Sequence, residues 1–112
     1  MMGISRLEFP LAKAEYLLSY STEPGEGGDK RTFWWHIMGF RSPETLREAL
    51  LAEMSMELLQ SQGQDAYGER YKAVVSITGP TGLARQIRTI WIVRPNEDVA
   101  RFVTAYPERS KK

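Results

Sequence analysis

The chain has 112 residues, with 15 lysine and arginine residues against 14 aspartate and glutamate residues and a net charge of +1. This length allows a single core, so we expect one domain over residues 1–112. The small net charge gives no bulk indication of nucleic-acid binding, although it leaves room for a local basic patch. The chain has no cysteine and only one histidine, His36, which excludes disulfides, thiol nucleophiles and clusters of cysteine or histidine ligands.

Neither a membrane span nor a signal peptide is visible. No apolar run approaches the roughly 18 residues of a membrane-spanning helix. The first residues lack the apolar stretch that a signal peptide requires. We therefore expect a cytoplasmic protein that does not associate with membranes and uses neither a cofactor nor a metal ion.

The N-terminal third of the chain predicts two short helices separated by a loop. Apolar residues at helical spacing predict the first helix over residues 11–19. Residues 21–29 are rich in glycine and contain a proline, which predicts a loop. A second apolar stripe predicts a helix over residues 30–38, and Gly39 suits its C-terminus.

A third helix has the clearest start signal in the chain. Ser42 can act as the N-cap, Pro43 suits the first helical position, and Glu44 is favourable in the first turn. Apolar residues then recur every four positions: Leu46, Leu50, Met54 and Leu58. We predict that this helix continues to about Ser61.

The C-terminal half predicts an antiparallel meander. Three alternating runs over residues 71–78, 84–94 and 99–106 are separated by turn clusters at 79–82 and 95–98. The expected fold is therefore α+β, with two or three N-terminal helices packed on one face of an antiparallel sheet of three or four strands.

The register of the two hairpins decides which side chains share a face of this sheet. We take Thr78 to pair with Leu83, and Arg94 with Val99. One face then mixes aromatic and polar residues: Lys72, Val74, Ser76, Ile87, Thr89, Trp91, Phe102, Thr104 and Tyr106. The other face is more uniformly apolar: Tyr71, Ala73, Val75, Ile77, Arg88, Ile90, Ile92, Val103 and Ala105. We predict that the second face packs against the helices, whereas a one-residue slip would exchange the faces.

The mixed face offers a candidate site for a phosphodiester. In this register Thr89 lies opposite Thr104, with Tyr106 and Lys72 close by. A lysine supplies charge, and threonine and tyrosine hydroxyls can bond phosphate oxygens. The alternative is purely structural, because threonine and tyrosine are good strand formers and cross-strand threonine pairs are common.

Arg88 and His36 complete the set of candidate residues. Four arginines give the meander a basic bias: Arg85, Arg88, Arg94 and Arg101. This bias suits either a solvated face or a phosphate-binding surface. His36 can serve as a general acid or base, since histidine side chains titrate near neutrality, or it can be a packing residue in an aromatic helix.

Several C-terminal segments carry a resemblance to a known family. They are Tyr67-Gly68, Thr78-Gly79-Pro80-Thr81-Gly82, Thr89-Ile90-Trp91-Ile92-Val93 and Phe102-Val103-Thr104-Ala105-Tyr106-Pro107. These segments resemble a bacterial family of small uncharacterised domains, and the resemblance extends over nearly the whole chain. It implies no activity, because that family has no established function.

The element order is also similar to that of the barnase/RelE-like toxin ribonucleases, in which helices precede an antiparallel sheet and the last strand ends in Thr-x-Tyr-Pro. This similarity implies cleavage of RNA without a metal, by histidine, lysine, arginine, threonine or tyrosine side chains. Thr104 and Tyr106 match the closing pattern, whereas strand geometry alone places Lys72, Arg88 and Thr89.

One departure concerns the loop ahead of Lys30. Members of the uncharacterised family often have a histidine there, before a glycine, and this chain has none in Thr22-Glu23-Pro24-Gly25. If that histidine is catalytic in the family, the departure implies that this protein is inactive or uses His36 instead.

Two functions stay open at this stage, and so does the question of whether the protein is an enzyme. The first is a metal-independent RNA-binding or RNA-cleaving toxin-like protein. The second is a non-enzymatic interaction module that binds a cognate protein or a second copy of itself through the open sheet face or an edge. Trp91, Phe102 and Tyr106 motivate it, because such aromatics anchor interfaces. Trp91 is also predicted to be largely buried, because strands flank it on both sides.

Overall fold

The computed structural model describes residues 4–18 and 32–108. The helical elements are α1 (Leu11–Leu18), a π-helix (Thr32–Ile37), α2 (Pro43–Glu53) and a 3-10 turn (Met56–Leu58). The strands are β1 (Arg6–Glu8), β2 (Gln60–Asp65), β3 (Gly68–Thr78), β4 (Ala84–Val93) and β5 (Val99–Pro107). The predicted loop over residues 21–29, which includes the segment without histidine, lies outside the described residues.

The start of α2 is confirmed. Ser42 has extended backbone angles, φ −141° and ψ 147°, and its hydroxyl accepts a hydrogen bond from the Thr45 amide at 3.2 Å. Pro43 occupies the first turn, where an amide proton would have no partner within the helix. Glu44 lies in the same turn, as predicted from its favourable interaction with the helix dipole.

The predicted end of α2 near Ser61 is wrong. The helix ends at Glu53, and Met54 is already extended, with ψ 147°. The hydroxyl of Ser55 accepts a hydrogen bond from the Glu57 amide at 3.2 Å and caps the 3-10 turn. A serine that bonds nearby backbone gives the chain an alternative to the helix, and this competition interrupts the four-residue period.

The second helix forms as a π-helix. The Met38 amide donates to the Phe33 carbonyl at 2.9 Å, five residues back. Gly39 follows with φ +89°, a conformation that favours glycine. The β3–β4 turn packs on this end: the Thr81 hydroxyl donates to the Ile37 carbonyl at 2.9 Å. Gly79 permits that approach, because a Cβ atom there would collide with the Met38 carbonyl.

The described strands form one five-stranded sheet in the order β1-β5-β4-β3-β2. Strands β3, β4 and β5 are antiparallel neighbours, as predicted. Strand β2, which was not predicted, pairs antiparallel with β3, and β1 pairs in parallel with β5. The sheet is therefore larger than the expected three or four strands, and mixed. Neither extra strand shows a period of two in the sequence, because β1 has three residues and β2 (QSQGQD) is polar throughout.

The register of the first hairpin differs from the predicted one by a residue. Thr78 pairs with Ala84, not with Leu83. Because side chains alternate along a strand, this shift moves every residue of β4 to the opposite face from the one predicted. The predicted faces of β4 are therefore wrong, while β3 presents Ala73, Val75 and Ile77 to the helices as expected.

A β-bulge changes the second hairpin. Trp91 pairs with Phe102 and Ile90 pairs with Thr104, which leaves Val103 as the extra residue of β5. Phe102 and Ala105 are three residues apart, so regular alternation would place them on opposite faces. The bulge places them on the same face, where both are buried. The predicted position of Phe102 on the open face is therefore wrong.

The inner face of the sheet, defined by Ala73, Val75, Ile77, Ile87, Thr89, Trp91, Phe102 and Ala105, joins the helices in one core. Burial of Trp91 is confirmed, with 1% of its surface exposed. Phe9, between β1 and α1, packs edge-on against Trp91 and stacks on Phe102 with ring centroids 4.0 Å apart. This aromatic cluster fastens the helical layer to β4 and β5.

The described helices are short. The longest, α2, has 11 residues. Within residues 4–18 and 32–108, no helix is long and apolar enough to cross a membrane.

Candidate functional site on the outer sheet face

The face of the sheet opposite the core carries the charged and hydroxyl side chains. The buried residues of α1, the π-helix and α2 all belong to the core on the inner face. No described helix therefore contributes its buried side to the outer face. We name the polar residues near the centre of that face the outer-face cluster: Lys72, Arg88, Thr104, Tyr106 and Glu108.

Pairing across three strands brings the cluster together. Arg88 of β4 lies directly opposite Tyr106 of β5. Ile90, two residues along β4, lies between Lys72 of β3 and Thr104 of β5. Directly paired side chains in an antiparallel sheet have Cβ atoms about 5 Å apart, and diagonal neighbours are about 7–8 Å apart. The pairing therefore places the side chains of three neighbouring strands next to one another.

An ion pair lies at the centre of the cluster. The Nε atom of Arg88 donates to Oε1 of Glu108 at 2.7 Å, and Nη2 donates to Oε2 at 3.0 Å. The backbone positions the carboxylate, because the Glu108 amide donates to the Gln86 carbonyl at 2.7 Å. About 30% of the Arg88 side chain and 27% of the Glu108 side chain remain exposed, so a ligand can reach both.

The ion pair changes the acidity of both groups. The hydrogen bonds from Arg88 lower the pKa of the Glu108 carboxyl, and the charges of Arg88 and Lys72 lower it further. The bond to Glu108 raises the pKa of Arg88, with smaller contributions from Tyr106. Glu108 is therefore an ionised carboxylate at neutral pH, held beside two cations.

Among residues 4–18 and 32–108, the Thr104 hydroxyl has no hydrogen-bond partner, although its oxygen is buried. A hydroxyl left unpaired in a partly buried position costs free energy that a ligand or a rotation about χ1 can recover. Thr104 thus contributes to the cluster a buried hydroxyl that no bond within the described residues satisfies.

The structure separates the six candidate residues of the sequence analysis into two groups. Lys72, Arg88, Thr104 and Tyr106 share the outer face and adjoin one another. Thr89, predicted on the same face, is fully buried on the inner one. Its hydroxyl donates to the Ala73 carbonyl at 2.7 Å and accepts from the Trp91 indole at 2.8 Å.

His36 lies away from the outer-face cluster in the fold. It is an exposed residue of the π-helix. The neighbouring residues Phe33 and Trp34 are buried in the core on the inner side of the sheet. The structure therefore provides no shared surface between His36 and the four clustered candidates.

Sequence analysis missed Glu108 because it follows the last predicted strand. Alternation beyond Tyr106 is the signal that points to it, since residues two apart in a strand share a face. The aromatic patch expected on the open face is absent, because Trp91 and Phe102 are in the core and only Tyr106, 39% exposed, lies outside. Among residues 4–18 and 32–108, no group of three histidine, aspartate or glutamate side chains is arranged to hold a metal ion.

Comparison with known proteins places the chain in a family. The model of a domain of unknown function, DUF6883, matches residues 5–109. The chain belongs to the DUF6883 family. No curated protein is significantly similar to this DUF6883 domain in sequence. The chain thus belongs to a family of unknown function, as the sequence resemblance implied.

A solved structure shares the fold of this DUF6883 domain. It is a chain of the contact-dependent growth inhibition toxin–immunity protein complex from Klebsiella pneumoniae 342. The two chains are 16% identical, with a TM-score of 0.67 over 89% of this chain and 98% of that chain. At this identity the likeness establishes the fold alone.

Proposed function

We propose that this DUF6883 domain binds and cleaves RNA without a metal ion, through the outer-face cluster. The observation that carries the proposal is the Arg88–Glu108 pair, exposed on a sheet face and adjoined by Lys72 and Tyr106. A fold shared with a chain from a toxin–immunity complex supports a toxin-like role. RNA as the substrate would place the action in the cytoplasm.

The two cations are suited to the scissile phosphate. Arg88 presents a planar guanidinium, which forms paired hydrogen bonds with phosphate oxygens as it does with the Glu108 carboxylate. Lys72 adds a point charge from the neighbouring strand. Cations positioned before the reaction stabilise the charge that develops on the phosphoryl oxygens in the transition state.

Glu108 and Tyr106 are suited to the two proton transfers. Glu108 takes the proton of the 2′-hydroxyl, whose oxygen attacks phosphorus and forms a 2′,3′-cyclic phosphate. The bond from phosphorus to the 5′-oxygen breaks, and that oxygen takes a proton from the Tyr106 hydroxyl. Proton exchange with water then restores both side chains. Because the hydrogen bonds from Arg88 lower the pKa of Glu108, the side chain is in the base form at neutral pH.

The test is incubation of the purified protein with RNA in EDTA, together with binding measured at two salt concentrations. Glu108→Gln should abolish cleavage while binding remains, and Arg88→Gln should weaken both. Asp65→Asn is the matched control. Like Glu108, Asp65 forms an ion pair with an arginine: Asp65 of β2 lies 3.3 Å from Arg70 of β3. Intact RNA together with no salt-sensitive binding would refute the proposal.

A second candidate is a protein partner that binds the edge of the sheet. Strand β2 ends the strand order, and all six of its residues are exposed. One row of its backbone groups therefore lacks a partner strand among the described residues, which suits the addition of a strand from another chain. The neighbour from a toxin–immunity complex motivates this candidate. Hydrogen exchange measures whether a partner protects the backbone amides of β2. If the protein stays monomeric and a candidate partner leaves this exchange unchanged, the result would count against this function.

A further inference from the structure

A cavity lies beyond the outer-face cluster, towards the far end of β4. It has a volume of about 250 Å³ and is lined by residues of β1, α1, β4, β5 and the segment after β4, among them Glu8, Lys13, Ile92, Arg94, Arg101 and Val103. The β-bulge at Val103 shapes one wall. The cavity combines apolar residues with a charged rim, which carries the cations Lys13, Arg94 and Arg101 and the carboxylate of Glu8.

The cations of the rim differ in their partners. Arg101 is neutralised by Glu8, at 2.5 Å, and by Glu97, at 3.2 Å. Lys13 and Arg94 are exposed and form no ion pair within the described part of the chain. With Glu97 included, the charged groups at the rim sum to +1, because Arg101 is paired with two carboxylates. Lys13 and Arg94 are therefore the cations that remain free to attract an anion such as a phosphate group.

The distance to the outer-face cluster matches a short stretch of nucleic acid. Arg94 follows Arg88 by six residues, just after the regular part of β4, which corresponds to roughly 20 Å at about 3.3 Å per residue. A stacked strand advances about 3.4 Å per nucleotide, so it would cross this distance in roughly six nucleotides, and an unstacked strand in fewer. Ile90 and Ile92 lie between the two arginines, half-buried on the same face.

We propose that the Lys13–Arg94 cavity binds a phosphate of single-stranded RNA whose scissile phosphate lies at the outer-face cluster. This proposal rests on the function proposed above and names its substrate class. The half-buried isoleucines favour a single strand, because they offer an apolar surface to unpaired bases that a duplex keeps stacked inside. The cavity then sets a minimum length for tight binding.

The test is binding of 2′-O-methyl oligonucleotides of two, four, eight and twelve nucleotides, measured by fluorescence anisotropy. Affinity of the wild type should rise with length until the strand spans both positions. Lys13→Gln and Arg94→Gln should each weaken binding of the longer strands by about three- to tenfold and leave the dinucleotide unaffected. Arg85→Gln is the matched control, because Arg85 is an exposed arginine of β4 on the inner-face register, opposite Ile77.

The outcomes separate this proposal from the function on which it depends. Equal losses for Arg94→Gln and Arg85→Gln, or a loss that is the same at every length, would overturn the cavity as a phosphate site. Duplex RNA that binds as tightly as the single strand would overturn the substrate class. In either case, weaker binding by Arg88→Gln would leave the proposed function standing. No binding of any oligonucleotide by the wild type would instead overturn the proposed function.

Discussion

The two faces of the sheet use the same residue types in opposite ways. On the inner face, Thr89 is fully buried, and its hydroxyl forms hydrogen bonds within the protein, with the Ala73 carbonyl and the Trp91 indole among its partners. On the outer face, the hydroxyl of Thr104 has no partner among the described residues, and the Arg88–Glu108 pair remains partly exposed. Burial against helices converts a hydroxyl into a structural group, whereas the uncovered face leaves the Arg88–Glu108 pair partly exposed to a ligand.

The largest expected effect concerns the aromatic residue at the centre of the inner face. Trp91→Ala should reduce the free energy of unfolding by about 3–5 kcal/mol, because it removes a buried indole and leaves a cavity beside Phe9 and Phe102. Chemical denaturation measures this loss. Tyr106→Ala, on the outer face, should have a much smaller effect, and equal losses for the two variants would show that both faces are structural.

The second effect concerns the hydroxyl of the inner face. Thr89→Val keeps the shape of the side chain but removes the acceptor of the Trp91 indole and the donor to the Ala73 carbonyl. We expect a loss of about 1–3 kcal/mol, since a buried indole N–H is left unpaired. RNA binding by the folded variant should match the wild type, and a specific loss of affinity would return Thr89 to the site.

A smaller and pH-dependent effect concerns the ion pair of the outer face. Because the folded protein lowers the pKa of Glu108, the pair stabilises the fold at neutral pH and ceases to do so as the pH falls through that lowered value. Glu108→Gln should therefore lower the melting temperature at pH 7, and the difference from the wild type should shrink in acid.

Thermal melts across this pH range provide the measurement. Glu48→Gln, at an exposed position of α2 without an ion pair among the described residues, is the control for the change of charge. A difference between wild type and Glu108→Gln that persists unchanged into strong acid would contradict the assigned role of the pair.

The smallest expected effect on stability comes from Thr104, the outer-face counterpart of Thr89. Thr104→Val should change the free energy of unfolding by no more than about 0.5 kcal/mol, because its hydroxyl has no hydrogen bond within the described residues to lose. If a rotation about χ1 turns the Thr104 hydroxyl towards bound RNA, affinity should fall although stability does not. A destabilisation as large as that of Thr89→Val would remove the distinction between the two faces.

Sequence alone predicted the features that depend on neighbouring residues. The start of α2 follows from Ser42 and Pro43, whose capping and fixed φ act within one turn. The three long strands follow from alternation within each run. The order of helices before the meander therefore determined the α+β class, and with it the presence of one covered and one open sheet face.

Only the tertiary structure decided which residues occupy each face. The pairing of Thr78 with Ala84 and the bulge at Val103 involve contacts across strands, which no local pattern specifies. A shift of one residue placed Thr89 inside and Arg88 outside. The partner of Arg88 is Glu108, 20 residues away, so their ion pair exists only once β4 and β5 have aligned. Local alternation indicates where the three long strands form, but register is set by the packing of whole faces, and register decides the chemistry of the site.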